Sequence, residues 1–257
     1  YIEKHRNVWS RFYRKIRRWI SPDFVIMSGN HKSNKFSKSG GGMMISYYIV
    51  RHGQTLLNLL DKAQGWTDSP LTDIGRQTAI DLGNKLVGIN FDAVFASDML
   101  RSIHTAELIL QASGNVSIPI QKDSRLREWC LGSMEAEKNT VFIENVSNWL
   151  GGVSSLEELN RQLPNVADAI YEHDKTEMAE PFSAIENRLK SIFIEIAQDI
   201  SQEKDCKILV VTHAFAIKTL FNLFAPEQLC KINKIKNSTV SLLKFDNGKF
   251  LMESDLL

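Results

Sequence analysis

The sequence is poor in cysteine and contains no long apolar run. Its three cysteines, Cys130, Cys206 and Cys230, are widely spaced and form no CxxC pair, so neither a disulfide framework nor a cysteine-rich zinc site is expected. No stretch approaches the roughly 18 consecutive apolar residues of a membrane-spanning helix. These features predict a cytoplasmic protein with reduced thiols.

Net charge is also small, but it is unevenly distributed. The 257 residues carry a formal charge of +1, so nucleic acid is not expected as a partner of the whole molecule. Residues 1–42 hold ten Lys/Arg and two acids, whereas the remainder holds 21 basic and 28 acidic residues. The pattern indicates a basic N-terminal arm on an acidic body.

The arm is predicted to lie outside the folded domain. Residues 1–20 place aromatic and isoleucine side chains at helical spacing between basic residues, so membrane contact is expected only through this stretch, if it occurs. Residues 28–42 have the Ser, Gly and Lys composition of a flexible linker. We therefore interpret 1–42 as a flexible leader or non-native segment and 43–257 as the main domain.

Apolar strands alternate with amphipathic helices along the main domain. The polar, mixed segment at about 133–180 interrupts the alternation and is interpreted as an inserted cap. An Asn-Gly pair near the C-terminus predicts a closing hairpin. The pattern predicts an α/β fold, a three-layer α/β/α sandwich with a mostly parallel sheet. Strands are expected at 45–50, 92–97, 117–120, 207–212, 238–245 and 249–254, and helices at 71–88, 99–112, about 185–200 and 214–224.

Charged side chains follow four of the predicted strands. Arg51 and His52 follow the first strand, Arg101 the second, Glu128 the third and His213 the fourth. Ligands of open α/β sheets bind beyond the carboxyl ends of the strands, so these residues are expected to meet. Arginine binds phosphate through a bidentate fork, and a neutral imidazole is a competent nucleophile near pH 7. The set predicts an anionic, phosphorylated substrate.

Five ordered motifs carry a resemblance to a known family. RHGQTLLN at 51–58, QGWTDSPLTDIG at 64–75, SDMLRSIHTA at 97–106, REWCLG at 127–132 and VTH at 211–213 resemble the signature segments of the histidine phosphatase superfamily, which includes the cofactor-dependent phosphoglycerate mutases. RHG alone would be a weak signal, but the ordered set is specific.

The resemblance implies a role for each residue. His52 would become phosphorylated, and Glu128 would protonate the leaving oxygen and then activate water. Arg51, Arg101 and His213 would surround the phosphoryl oxygens. The second ring nitrogen of His52 is expected to donate to a backbone carbonyl. The substrate-binding residues implied are Asn58, Gln64, Gly65 and Ala214.

Some positions keep an alternative interpretation. Gly53 is expected to allow a tight turn beside His52, and Gly65 could serve only as a turn. Arg125 and Arg127 are interpreted as surface charge. Ala214 stands where the family commonly has glycine, and it would be strained if the position required a positive φ.

The predicted activity is metal-independent hydrolysis of a small phosphomonoester, without a cofactor, of the acid phosphatase-like kind. Metal binding by His52, Glu128 and His213 is conceivable from residue type, but the neighbouring arginines would repel a divalent cation. Phosphoglycerate mutase-type transfer is the alternative, although the segment after residue 132 does not follow the mutase pattern. A catalytically idle phospholigand-binding module is disfavoured because nucleophile, acid and phosphate clamp are all present.

Overall fold

The computed structural model of the chain describes residues 44–152, 155–200, 204–229, 231–232 and 234–253. The predicted N-terminal arm, 1–42, lies outside these residues. The described strands are β1 (Met44–Arg51), β2 (Ala93–Ala96), β3 (Ile120–Lys122), β4 (Cys206–Thr212), β5 (Val240–Asp246) and β6 (Lys249–Glu253). The described α-helices are α1 (Leu56–Leu59), α2 (Asp73–Lys85), α3 (Leu100–Ser113), α4 (Asn139–Trp149), α5 (Leu156–Arg161), α6 (Leu163–His173), α7 (Phe182–Asp199), α8 (Ala214–Phe224) and α9 (Pro226–Leu229).

The strands form one mixed sheet in the order β3-β2-β4-β1-β5-β6. The first four strands along the chain run parallel, whereas β5 pairs antiparallel with β1. The turn between β5 and β6 has Asn247 at φ 48° and Gly248 at φ 77°, the conformation for which Asn-Gly is preferred. The mostly parallel sheet and its C-terminal hairpin are therefore confirmed.

Helices cover both faces of the sheet because its strands are apolar on both sides. Successive side chains of a strand point to opposite faces, so Tyr47 and Val210 pack in the core beneath α7 and α8. Val50 and Val211 pack in the second core, beneath α2 and α3. The α/β/α sandwich predicted from the sequence is the fold observed.

The third strand begins three residues later than predicted, at Ile120–Lys122 rather than 117–120. Pro119 has no N–H to donate, and pairing with β2 begins at Ile120 opposite Val94. Helix α1 was not predicted, because four residues are too short to show a helical period.

The segment predicted as a cap is helical where it is described. It contains α4, α5 and α6 and lies in the chain between β3 and α7. No helix in the described ranges is both long enough and apolar enough to cross a membrane.

Candidate active site

His52 leaves the end of β1 with one ring nitrogen already engaged. Its Nδ1 lies 2.8 Å from the carbonyl oxygen of Gly53, an acceptor that fixes the proton on Nδ1 and leaves Nε2 with its lone pair. Its own N–H donates to the carbonyl oxygen of Thr212 at 3.0 Å, which anchors it to β4. The side chain is 3 % exposed. The geometry leaves the lone pair of Nε2 available for nucleophilic attack.

His213 lies beside it at the end of the neighbouring strand β4. The two imidazole centroids are 5.2 Å apart. The Nε of Arg101 donates to Nδ1 of His213 at 3.2 Å, so the proton of a neutral His213 is on Nε2. Parallel pairing of β1 with β4 produces this approach, because it places Arg51 opposite Thr212.

Arg101, at the start of α3, is completely buried and tightly fixed. Besides His213, its guanidinium donates to the carbonyl oxygens of Gly65 at 2.6 Å and Thr67 at 3.0 Å, and to Oδ1 of Asp68 at 2.9 Å. Four of its five N–H groups are therefore engaged. The guanidinium is held in one orientation before any ligand binds.

Arg51 has an unsatisfied donor instead. Its Nη1 donates to the carbonyl oxygen of Ile235 at 2.6 Å, but its buried Nε has no partner among the described residues. Burial lowers the pKa of the guanidinium to about 10, which leaves it charged at neutral pH. A buried, charged donor without a partner costs free energy that a phosphoryl oxygen would recover.

Glu128 accepts backbone N–H groups at the start of α8. Its carboxylate receives Phe215 at 2.9 Å, Ala216 at 2.9 Å and Trp129 at 3.1 Å. Burial raises the pKa of Glu128, and these three donors oppose that rise only in part. A raised pKa suits a carboxyl group that must carry a proton to a leaving oxygen.

Both histidines are held neutral by their surroundings. Burial, followed by the charges of Arg101 and Arg51, lowers the pKa of His52 well below its usual value. Burial and Arg101 lower the pKa of His213 in the same direction. A neutral His52 keeps its lone pair for nucleophilic attack.

Asn58 and Ala214, two of the predicted substrate-binding residues, lie in α1 and at the start of α8. Asn58 closes a capping box with Thr55, and its Oδ1 also accepts from Nδ2 of Asn237 at 3.3 Å. These bonds leave its Nδ2 as a free donor among the described residues. Ala214 is the first residue of α8 and has no positive φ, so alanine is unstrained there.

Gln64 and Gly65, the other two predicted substrate-binding residues, form hydrogen bonds with neighbouring residues of the protein. Gln64 bonds Thr55 at 2.6 Å and Ser69 at 3.0 Å. Gly65 presents its carbonyl oxygen to Arg101. A Cβ at Gly65 would come within 2.4 Å of the carbonyl oxygen of Trp129, so the close packing requires glycine.

Gly53 has a different reason for being glycine from the one predicted. It does not adopt a positive φ, so no left-handed turn is involved. A Cβ there would lie 2.5 Å from the carbonyl oxygen of Gly75, at the start of α2. Close approach of two backbones, rather than turn geometry, excludes a side chain.

Arg125 and Arg127 are paired with acids, in agreement with their interpretation as surface charge. Arg125 bonds Asp123 and Glu195, and Arg127 bonds Asp98 at 2.6 Å. Neither guanidinium is free to serve as a phosphate clamp.

Three supporting residues were not singled out from the sequence. Asp68 fixes Arg101, and its place inside the 64–75 motif was the available signal. Glu135 accepts the N–H groups of residues 65–67 at 2.7–3.1 Å, and Asn237 donates to the carbonyl oxygen of His52 at 2.8 Å. The sequence around Glu135 and Asn237 does not indicate these roles, because each residue bonds to partners that are far away in the chain.

The charges and ligand types do not suit a cation. In the described ranges, no three His, Cys, Asp or Glu side chains are arranged to hold a metal ion. The site has instead the two guanidinium groups of Arg51 and Arg101, a neutral imidazole at His52 and the buried carboxyl of Glu128. This arrangement can bind a phosphoryl group, accept it on nitrogen and supply a proton to the departing oxygen.

Comparisons with known proteins find similar sequences and folds over most of the chain. The family model described as histidine phosphatase superfamily (branch 1) matches residues 47–254. A Salmonella choleraesuis protein named "Probable phosphoglycerate mutase GpmB" is 27% identical over 210 residues, covering 81% of this chain and 88% of its own.

Solved structures share the fold. A phosphoglycerate mutase from Bacillus anthracis is 31% identical with a TM-score of 0.77, covering 83% of this chain and 93% of its own. The alpha-ribazole phosphatase from Shigella flexneri is 20% identical with a TM-score of 0.61, covering 81% and 94%; at that identity the likeness concerns the fold alone.

Proposed function

This chain belongs to the histidine phosphatase superfamily, and from that premise we propose that it hydrolyses small phosphomonoesters through a phosphohistidine. One observation carries the proposal. The bond from Nδ1 of His52 to Gly53 leaves Nε2 free, beside a buried Arg51 Nε that has no described partner. A nucleophile and an unfilled anion donor at the same strand end suit phosphoryl transfer.

The reaction proceeds in two balanced steps. The lone pair of His52 Nε2 attacks phosphorus, the bond from phosphorus to the ester oxygen breaks, and Glu128 gives its proton to the departing oxygen. The carboxylate of Glu128 then takes a proton from water, whose oxygen attacks phosphorus and breaks the P–N bond. Inorganic phosphate leaves, and His52 returns to its neutral form. Gly53 stabilises the positive charge that develops on the ring by accepting from Nδ1 throughout.

Positive groups lower the barrier by stabilising the charge on the transferring group. Arg51 and Arg101 are cations held in place by backbone carbonyls, so little reorganisation is needed at the moment of transfer. Asn58 adds a neutral donor, and the backbone N–H of Ala214, the first residue of α8, is proposed as a second. No step requires a metal, and we propose a cytoplasmic location, which the few scattered cysteines support.

Phosphoglycerate mutase-type transfer is the second candidate. The 31% identity to a protein described as a phosphoglycerate mutase favours it. Hydrolysis is preferred because the segment after residue 132 departs from the mutase pattern, and we propose that its helices α4–α6 form the cap predicted from the sequence. A mutase must also keep water from its phosphohistidine.

Product analysis separates the two candidates. With EDTA present, we expect a panel of phosphomonoesters to yield inorganic phosphate and free alcohol in equal amounts. Phosphoglycerate primed with bisphosphoglycerate should likewise lose phosphate rather than change isomer. Isomerisation without phosphate release would assign the mutase activity, and activity abolished by EDTA would contradict the metal-independent mechanism.

A titration of the nucleophile is a further expected result. The pKa of His52 is lowered by burial and by two arginines, so its ring should stay neutral as pH falls through the ordinary histidine range. Nitrogen-15 NMR of labelled histidine, assigned with His52→Ala, should show an Nδ1–H tautomer and a midpoint below about 6.5. A midpoint at or above that value, or the other tautomer, would contradict the site geometry.

A further inference from the structure

Arg188, in α7, has all five of its N–H donors engaged within the protein. Its Nε and Nη2 donate to the carboxylate of Glu180 at 2.8 and 3.0 Å. Its Nη1 donates to the carbonyl oxygens of Arg125 at 2.8 Å and Arg127 at 2.7 Å. Its Nη2 also donates to the carbonyl oxygen of Glu128 at 2.9 Å. The side chain is only 13 % exposed, so these contacts fix the guanidinium in one orientation.

The three carbonyl oxygens belong to the segment that carries the proposed proton donor, which we call the acid loop (residues 125–130). Glu180, which precedes α7, makes a further contact with this loop, because its Oε2 accepts the N–H of Cys130 at 3.2 Å. The ion pair between Arg188 and Glu180 therefore holds the acid loop before, at and after Glu128. A loop has no regular hydrogen-bond ladder along its length, so such contacts determine where its backbone lies.

Glu128 is held at its backbone as well as at its carboxylate. The carboxylate accepts N–H groups from the start of α8, whereas the carbonyl oxygen accepts from Arg188 and from Nε1 of Trp66 at 2.9 Å. A general acid must lie within hydrogen-bond distance of the oxygen that it protonates. A misplacement of about 1 Å can lower a rate about 100-fold, so the backbone contacts bear directly on proton transfer.

The arginines that would bind the phosphoryl group are held by other segments. Arg51 donates to the carbonyl oxygen of Ile235, and Arg101 is held by the loop at 65–68. Loss of the contacts of Arg188 should therefore disturb the proton donor more than the binding of the phosphoryl group. This separation gives the role of Arg188 a kinetic signature.

We propose that Arg188 and Glu180 are positioning residues, which together hold the acid loop so that the carboxyl group of Glu128 stays within reach of the leaving oxygen. The inference rests on the proposed function, because it names the residues that position its proton donor. Both residues act through Glu128, and neither has a role in contacting substrate. Lysine is a poor replacement for Arg188, because three donors on one nitrogen cannot reach three carbonyl oxygens and a carboxylate.

Dependence on the leaving group distinguishes positioning from a general loss of structure. Arg188→Met should lower kcat for glycerol phosphate by at least about 30-fold, with KM within about threefold, because an alkoxide needs the proton of Glu128. The burst of nitrophenol from nitrophenyl phosphate should keep its rate within about fivefold, because that leaving group is stable without a proton. Arg161→Met breaks an exposed ion pair with Glu157 on α5 and, as the matched control, should change neither reaction.

Glu180→Gln separates positioning from charge. It removes a negative charge, whereas Arg188→Met removes a positive one, so their direct effects on the pKa of Glu128 are opposite in sign. The activity of a general acid falls as pH rises past its pKa. A purely electrostatic role would move this fall to higher pH in Arg188→Met and to lower pH in Glu180→Gln.

The positioning role predicts instead that both variants lower the plateau of kcat for glycerol phosphate. The loss in Glu180→Gln should be the smaller, about fivefold, because an amide oxygen still accepts one hydrogen bond. Opposite shifts in pH with an unchanged plateau would contradict the inference.

Arg188→Lys keeps the charge and decides the case if the methionine variant does not fold. It should lose about tenfold in kcat for glycerol phosphate and little in the nitrophenol burst, because it lacks two of the five donors. Equal losses on both esters in the lysine variant, or no loss on either, would overturn the positioning role and leave hydrolysis intact. No phosphate release from either ester by the unaltered protein would reject the proposed function itself.

Discussion

Replacing His52 by alanine is expected to lower kcat/KM by at least about 10,000-fold for every phosphomonoester, because it removes the nitrogen that accepts the phosphoryl group in the proposed mechanism. His213 cannot substitute for it, since its Nδ1 is already bonded to Arg101. The nucleophile's supports, Gly53 and Asn237, would remain in place. Substrate binding should survive in the variant, because Arg51 and Arg101 are retained.

Samples denatured at alkaline pH give the direct readout. With a phosphorus-32 ester, the unaltered protein should carry acid-labile, alkali-stable label, whereas His52→Ala should carry none. His104→Ala is the matched control, a histidine of α3 outside the reaction centre, and it should keep activity within about threefold. Residual activity of His52→Ala within tenfold of the unaltered protein would reject the phosphohistidine.

Replacing Glu128 by glutamine is expected to have the second largest effect, and the effect should depend on the leaving group. Alkyl phosphates need a proton at the departing oxygen, so their hydrolysis should fall about 100- to 10,000-fold. Nitrophenyl phosphate has a leaving group that is stable without a proton, so its first step should persist. The second step still lacks a base, and the phosphoenzyme should accumulate.

Stopped-flow kinetics with nitrophenyl phosphate can detect this accumulation. Glu128→Gln should release nitrophenol in a burst of about one equivalent per active site, followed by slow turnover. Glu107→Gln, at an exposed position on α3, should behave like the unaltered protein. The same proportional loss on both kinds of ester, without a burst, would mean that Glu128 holds the start of α8 and transfers no proton.

The residues of the site could be predicted from the sequence because strand ends are a local property. Arg51 and His52 follow an apolar run, and His213 follows another, so parallel pairing brings them to one edge of the sheet. Helix α8 begins at Ala214, as predicted, because its start directly follows the end of β4 and His213. The motif around Arg101 and the acid loop completed the set.

Sequence patterns gave a wrong prediction where a strand was short, and where a glycine was needed for close packing rather than for a turn. Strand β3 is three residues long and begins after Pro119, so its apolar signal was misplaced. Gly53 was predicted to serve a turn, yet it is required by the backbone of Gly75, 22 positions along the chain. A sequence shows that a position is glycine but does not show what approaches it.

The sequence by itself determined the fold class, the family and the residue types of the candidate site. These follow from the spacing of apolar residues, from turn residues and from ordered motifs, each of which is contained in a short stretch of chain. Only the tertiary structure decided how these groups are tuned. The orientation of Arg101, the hydrogen bond from Arg51 to the carbonyl oxygen of Ile235 and the contacts of the Glu135 carboxylate depend on segments far apart in the chain. Burial and the field of neighbouring charges act through space, and no stretch of sequence records those distances.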